Sequence, residues 1–499
     1  MAIAAATAAG VTVDAGAATA AATAGALTAG DLVSVDPLAH LLRRATYGPT
    51  PAALAELGRL GVTGWLDRQL APETIADATC DALLARMPLI ALDITGTRAS
   101  LPKNSYEGFR QLGRATVARA IWSNRQLFET TAAFWANHLH IAAPSGGVWD
   151  SRADYDRTVT RGFAFGRFAD MLKASARHPA MLTYLDNRSS SKARPNENYA
   201  RELMELHTVG MIYTEADVQQ AARLLTGLTV DSAGRYVYDA TKHATGPVDI
   251  VGFRHDNATA AGGEAAALAF LDHLATHPAT AERIARKLCL RFVADEPPAT
   301  LVATLAKVYL DNGTAIAPVL RALFTSAEFD ASIGAKVRTP FEDLVATVRV
   351  LGLAPEVTGV KALDALYNMA VSAGNAPMRW SPPNGFPDVA AAWASPSAFL
   401  LRCNWHLNLA TGWYPSQLAR PANLLTALVP VRPATYGKLV DALARRLLGT
   451  TMRPEHVAAV TAVAGKTPTS PLTATDTAVN GSLPYLIALV LDSPYFQLR

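Results

Sequence analysis

What this 499-residue chain lacks narrows its class before any motif is read. It has only three cysteines, Cys80, Cys289 and Cys403, far apart and odd in number. They form no CxxC pair, no zinc pattern and no disulfide framework, so buried free thiols are the plain expectation. Lys/Arg runs and basic-aromatic blocks are absent and the net charge is only +3, which argues against nucleic acid as a partner. After residue 35 there is no charge-free apolar run of about 18 residues, so no spanning helix is expected there. GxSxG, a phosphate-binding glycine loop, HExxH and CxxCH are all missing. A serine hydrolase of the usual type, an NTPase, a zincin and a c-type haem protein are therefore not expected.

What is present is hydrophobic: half of the residues, enough for a large core. The first 30 residues are nearly all Ala, Gly, Thr and Val, with Ala22-Thr23-Ala24 like the small-residue end of an export signal. The basic region of such a signal is missing, since the first Lys or Arg is Arg43. Residues 1–34 read as an Ala-rich tail or signal remnant, disordered or removed. From Asp36-Pro37 onward, helical periodicity dominates. A long helical pattern covers 106–143, and further helices are expected near 300–310, 317–328, 340–352, 398–411, 436–448, 454–463 and 483–493. The one clear strand signal is Arg235-Tyr236-Val237-Tyr238-Asp239 after Ala233-Gly234. The expected fold is mainly α: a large multi-helix globular domain, 35–499, with a small β-hairpin insert at 228–256. Subdomains 35–227 and 257–499 on either side of that insert are the alternative division.

The stretch from Arg194 to Thr208 carries the densest chemistry. Read at about 100° per residue, Glu197, Asn198, Arg201, Glu202, Glu205 and Thr208 share one polar arc, and His207 falls on the apolar side. Its plain reading is a solvated face with i,i+4 pairs, Glu197 to Arg201 and Arg201 to Glu205. Its functional reading is a lined cleft: Glu202 and Glu205, on neighbouring turns, are carboxylates whose pKa values can be driven apart for acid–base work. Arg201 would hold one of them ionised or grip an anion. Asn196 and Asp217 read as caps, of this helix and of the next. Asp186 either makes a turn or brings a further carboxylate to that helix. His138 and His140 end a helix after Phe134-Trp135. His140 reads as a core histidine, and His138 as a group that could join a carboxylate from the Glu-rich helix. His207 reads as buried with one partner, and a His–Glu pair there would be catalytically useful. His255-Asp256 is expected in a loop after the hairpin, a good place for a binding group.

These residues resemble the bacterial family called "domain of unknown function 1800". The resemblance rests on Phe134-Trp135-Ala136-Asn137-His138, on Pro179 to Asn187, on Asn196 to Gly210, on Tyr213 to Val218, on Ala222 to Gly227, on His255-Asp256 and on Ser493-Pro494-Tyr495-Phe496-Gln497. It spans about residues 36–499, in order. It implies an exported bacterial protein, often with an N-terminal signal, and no known activity. The sequence departs from the family's habit after His255-Asp256, where Asn257-Ala258-Thr259-Ala260 replaces a glycine-and-lysine stretch. Leu228 likewise stands where a tryptophan is common.

The leading functional expectation is an exported hydrolase or lyase acting on a polar polymer, for instance a saccharide. Glu202, Glu205, His138 and His207 would be its catalytic groups. Asn196, Glu197, Asn198, Arg201, Asp186, Asp217, His255 and Asp256 would bind the substrate. The alternatives are a metal-dependent or oxidative enzyme with Glu, Asp and His ligands, and a non-catalytic binding or assembly protein of the cell envelope. The residues point to no particular metal or cofactor, no tightly held redox group is expected, and the oligomeric state is not readable.

Overall fold

Capping residues start the first helices of the computed structural model, which describes residues 29–499. Asp36 and Thr50 accept main-chain hydrogen bonds at the openings of Pro37–Ala45 and Pro51–Gln69, each with proline in the first position. Gly61, at φ +67°, kinks the second of these, at the glycine where the pattern breaks in sequence. Most of the 1–34 tail lies outside the described residues. Its last part does not behave as a tail: Ala29–Leu32 form a helical turn, and Leu32 and Val33 are buried in the core, so the packed body begins before Asp36.

The helical run expected over 106–143 is two helices, Glu107–Trp122 and Gln126–His138. Asp77 breaks it. Its carboxylate accepts from the Ser123 hydroxyl at 2.6 Å and from the Asn124 N–H at 2.8 Å, holding the chain out of helical register.

The fold is mainly α, as expected, but the insert holds two hairpins rather than one. Strands β1 (Leu228–Val230) and β2 (Tyr236–Tyr238) pair antiparallel, as do β3 (Val248–Ile250) and β4 (Phe253–His255). The second hairpin turns through Val251 and Gly252, both at positive φ, the geometry of a tight two-residue turn. Valine rarely takes that conformation, so no turn signal is readable there. His255 consequently lies on β4 and not in a loop.

Buried apolar residues from Leu32 to Phe496 form one contiguous cluster. Pro278–Phe292 packs on Ala299–Asp311, Pro396–Thr411 on Leu483–Leu491, and Glu197–Glu202 on Glu215–Leu224. No helix among the described residues is long and apolar enough to cross a membrane.

One polar network is buried within this packing. His406 donates from Nε2 to Asp343 and from Nδ1 to Asp492, both at 2.7 Å, joining helices Pro396–Thr411, Pro340–Val350 and the end of Leu483–Leu491. Arg402 stands 3.5 Å from Asp343. Burial alone would lower the imidazole's pKa, but the two carboxylates win and raise it to about 9.

Candidate functional site

The Glu-rich segment is not one regular helix. Glu197–Glu202 is α-helical, and Leu203–His207 is a π-helical turn. Past Leu203 the assumed advance of about 100° per residue no longer holds, so the anticipated polar arc is broken up. Thr208 is fully buried, its hydroxyl donating to the Leu203 carbonyl at 2.7 Å. The expected Arg201–Glu205 pair is absent. Arg201 instead makes two 2.7 Å hydrogen bonds to Glu215 and lies 3.6 Å from Glu197. Tyr213 donates its hydroxyl to Glu205. Glu202, half-buried, has its pKa raised by burial and then by Glu205, with Arg201 opposing.

His138 and His207 come together behind this segment, their rings 6.4 Å apart, both almost completely buried. His138 meets the Glu-rich segment through a main-chain carbonyl and not through a carboxylate. Its Nε2–H donates to the His207 carbonyl at 3.0 Å, which fixes the tautomer and leaves Nδ1 as an acceptor. Lys287 fills that acceptor, its ammonium 3.0 Å from Nδ1. The His207 Nε2 has no hydrogen-bond partner among the described residues. No hydrogen bond or ion pair joins Glu202 or Glu205 to either histidine in the described structure.

Lys287 carries the strongest chemical signal here. Burial, and then Arg283, lower its pKa from 10.5 to about 8, with only Asp388 opposing. Lys287 and Arg283 in turn help burial hold His207 down to about 3, and His138 stays neutral for the same reasons. Arg283 donates to the Leu206 carbonyl at 3.4 Å and feels the charge of Glu205. Arg283, Lys287 and Arg291 follow at i, i+4 and i+8 along Pro278–Phe292, so they form one cationic stripe beside that helix's buried face. Arg283 serves the Glu-rich segment, Lys287 serves His138, and Arg291 reaches Glu342 at 2.6 Å. That spacing was readable in the sequence, but the meeting of Lys287 with His138 was not.

The residues expected to bind substrate do not converge. Asn196 caps its helix through Asn198 N–H at 2.8 Å and also donates to the Asp186 carbonyl at 2.9 Å. Asn198 donates to the Leu185 carbonyl, and Glu197 pairs with Arg201. Asp217 completes a capping box with Thr214 and accepts from Val251 N–H at 3.0 Å, tying the β insert to Glu215–Leu224. Asp186 is exposed in a left-handed turn. These five residues are engaged in caps, turns and surface pairs. His255 and Asp256 line a separate, open depression on the insert with Gln220, Asp249 and Arg254. The departure at Asn257 has a structural role: its amide donates to the Ala244 carbonyl and its Oδ1 meets His243, both at 2.8 Å.

The family model described as "Protein of unknown function (DUF1800)" matches residues 40–498. The chain belongs to that family. Comparison with curated proteins and with solved structures finds no match.

A second feature of this DUF1800 chain lies one helical turn further along the cationic stripe, a rise of about 6 Å from Lys287 to Arg291. It is a cavity of about 140 Å³. Four alanines, Ala120, Ala132, Ala133 and Ala136, leave the space open, and Phe134, Phe341, Phe386, Trp393 and Tyr47 line it. Glu129 and Arg161 form a two-pronged pair across one part, at 2.7 and 2.8 Å. Glu342 pairs with Arg291 at 2.6 Å and Arg499 at 2.8 Å on another, and these partners hold its carboxyl down to about 2 against burial. His140 lines the cavity and donates to the Trp380 carbonyl at 2.7 Å, so it is partnered as a core histidine would be. Asn137 secures the loop above: its amide donates to the Phe386 carbonyl at 2.9 Å and its Oδ1 accepts from Phe386 N–H at 2.7 Å. Among the described residues no group of three or more His, Cys, Asp or Glu side chains is arranged to hold a metal ion.

Proposed function

We propose that this protein is an exported acid–base enzyme, a hydrolase or lyase on a polar polymer such as a saccharide. The carrying observation is Lys287, whose amine lies 3.0 Å from His138 Nδ1 behind the segment that holds Glu202 and Glu205, with no carboxylate at ion-pair distance among the described residues. Glu202 is raised by burial and Glu205, and Lys287 is lowered to about 8 by burial and Arg283. Groups pushed this way are suited to give and take protons near neutral pH. They belong to one chain of neighbours, from Glu202 through Glu205, Arg283 and Lys287 to His138. In this reading Glu202 is the proton donor, the neutral fraction of Lys287 is the base, and His138 positions the amine. Arg283 beside Lys287 favours a substrate carrying a carboxylate, and so favours elimination on an acidic saccharide. The lysine amine takes the proton alpha to that carboxylate, the carbon–oxygen bond beta to it breaks as a carbon–carbon double bond forms, and Glu202 protonates the leaving oxygen. The metal-dependent alternative has no ligand cluster among the described residues to build on.

The test is turnover of acidic and neutral polysaccharides by purified protein, read both as new reducing ends and as ultraviolet absorbance of a new double bond. Glu202→Gln and Lys287→Met should each cut turnover by at least about 100-fold, the usual weight of one acid–base group. Glu202→Gln should leave stability within about 0.5 kcal/mol. Full activity in both variants would refute the assignment, and reducing ends without the double bond would select hydrolysis.

A further inference from the structure

We infer that the cavity beside Arg291 is a binding site for one neutral, polyhydroxylated ring of about the size of a single sugar unit. The first ground is shape. At about 140 Å³ the space is far larger than a water site and smaller than a drug-sized pocket. Alanine at Ala120, Ala132, Ala133 and Ala136 keeps two helices from filling it.

The second ground is Tyr47. It is 5% exposed, lines the cavity, and its hydroxyl has no hydrogen-bond partner among the described residues. The charges of Arg291, Glu342, Glu129 and Arg499 act on the phenol. A hydroxyl on a cavity wall can both donate to and accept from a polar guest. Arg291 Nε is likewise without a hydrogen bond, and Glu342 Oε1 has ion pairs but no well-directed one.

The third ground is charge. Glu129, Asp156, Glu342 and Asp388 on the wall are matched by Arg161, Arg119, Arg291 and Arg499. A site whose charges already neutralise one another offers donors and acceptors without demanding a net charge from its guest. That is what hydroxyl groups need, while the aromatic residues supply apolar faces for the carbon side of a ring. A bare cation would compete with the two guanidinium groups that line the cavity, Arg161 and Arg291. The inference does not depend on the acid–base reading, because it concerns binding and not turnover.

The experiment is saturation-transfer NMR and tryptophan fluorescence on the full chain with methyl glucoside, methyl N-acetylglucosaminide, glucuronate, tetramethylammonium and a neutral disaccharide. Trp393 is the reporter in the wall. A neutral methyl glycoside should bind with a Kd on the order of millimolar, as expected for about a dozen heavy atoms at ordinary ligand efficiency. Ala133→Leu, which fills the space, should weaken binding by at least roughly tenfold, and Tyr47→Phe by about three- to tenfold. Melting curves check that both variants fold, and if Ala133→Leu does not, Tyr47→Phe decides. Stronger binding of the disaccharide identifies a polymer unit as the natural guest, and equal binding identifies a free sugar. Preference for tetramethylammonium or glucuronate over the neutral glycosides would overturn the proposal. So would no binding at about 50 mM, or binding that neither variant weakens.

Discussion

Two buried histidines in this protein have opposite companions. His406 is held between two carboxylates and is kept charged, its pKa raised to about 9. His138 is held between a carbonyl and an ammonium and is kept neutral. The first arrangement joins helices and brings opposite charges together, which is what a structural network does. The second places a cation in protein surroundings with no carboxylate at ion-pair distance among the described residues. Such an arrangement opposes folding, and groups under strain of this kind concentrate at functional sites.

Breaking the comparison should produce its largest effect at the structural end. Asp343→Ala leaves a buried imidazolium half-compensated and should cost about 3–5 kcal/mol in urea unfolding. Lys287→Met removes a poorly compensated cation and should leave stability unchanged or raise it. Equal losses in the two variants would show that the clusters are alike.

A pH series sharpens the contrast, because the two groups have opposite signs. His406 is raised from 6.5 to about 9, so its stabilisation is complete below 6.5 and is lost as pH rises through 9. Lys287 is lowered from 10.5 to about 8, so its penalty is complete below 8 and is relieved as pH rises toward 10.5. Each is worth up to about 3 kcal/mol, at about 1.4 kcal/mol for every tenfold change in proton affinity, and the two partly cancel in the native protein. Lys287→Met should therefore steepen the fall in stability between pH 7 and 10. His406→Gln should expose a rise over the upper part of that range. Urea midpoints across pH read both slopes.

The smallest effect concerns how each region is held. The His406 network is fixed by helices, whereas the cavity is closed by a loop. Gly385, at φ +73°, passes so close to helix Gln126–His138 that a Cβ would lie 2.2 Å from the Asn137 carbonyl oxygen. Gly385→Ala should cost about 1–3 kcal/mol by displacing the loop that carries Phe386 and Asp388. A melting temperature unchanged from the parent would mean that the loop contributes little.

The same contrast explains what could be read in the sequence. Periodicity, proline, glycine and caps located most helices, and Thr214 to Asp217 folded as the capping box they spell. The extra breaks came from distant partners, as with Asp77 on Ser123-Asn124, which no local pattern contains. His207, expected on the apolar side of the Glu-rich segment, is buried. The segment's arc was misdrawn because the π turn at Leu203–His207 is invisible to a fixed helical advance. Lys287 was missed because its importance comes from meeting His138, 149 positions away. Most of the expected binding residues were polar for reasons of capping and pairing, which use the same side chains as binding does.

The acid–base assignment is tested most directly by titrating Lys287 in the native protein, by NMR of chains labelled at the lysine ε-carbon, with Lys287→Met to assign the signal. The expected midpoint is near 8, well below that of exposed lysines. Replacing Arg283 with Gln should move that midpoint upward, since Arg283 is the largest charge opposing protonation. A Lys287 midpoint at 10 or above, indifferent to Arg283, would contradict the assignment: the lysine would be an ordinary cation, and the acid–base site would lose its base.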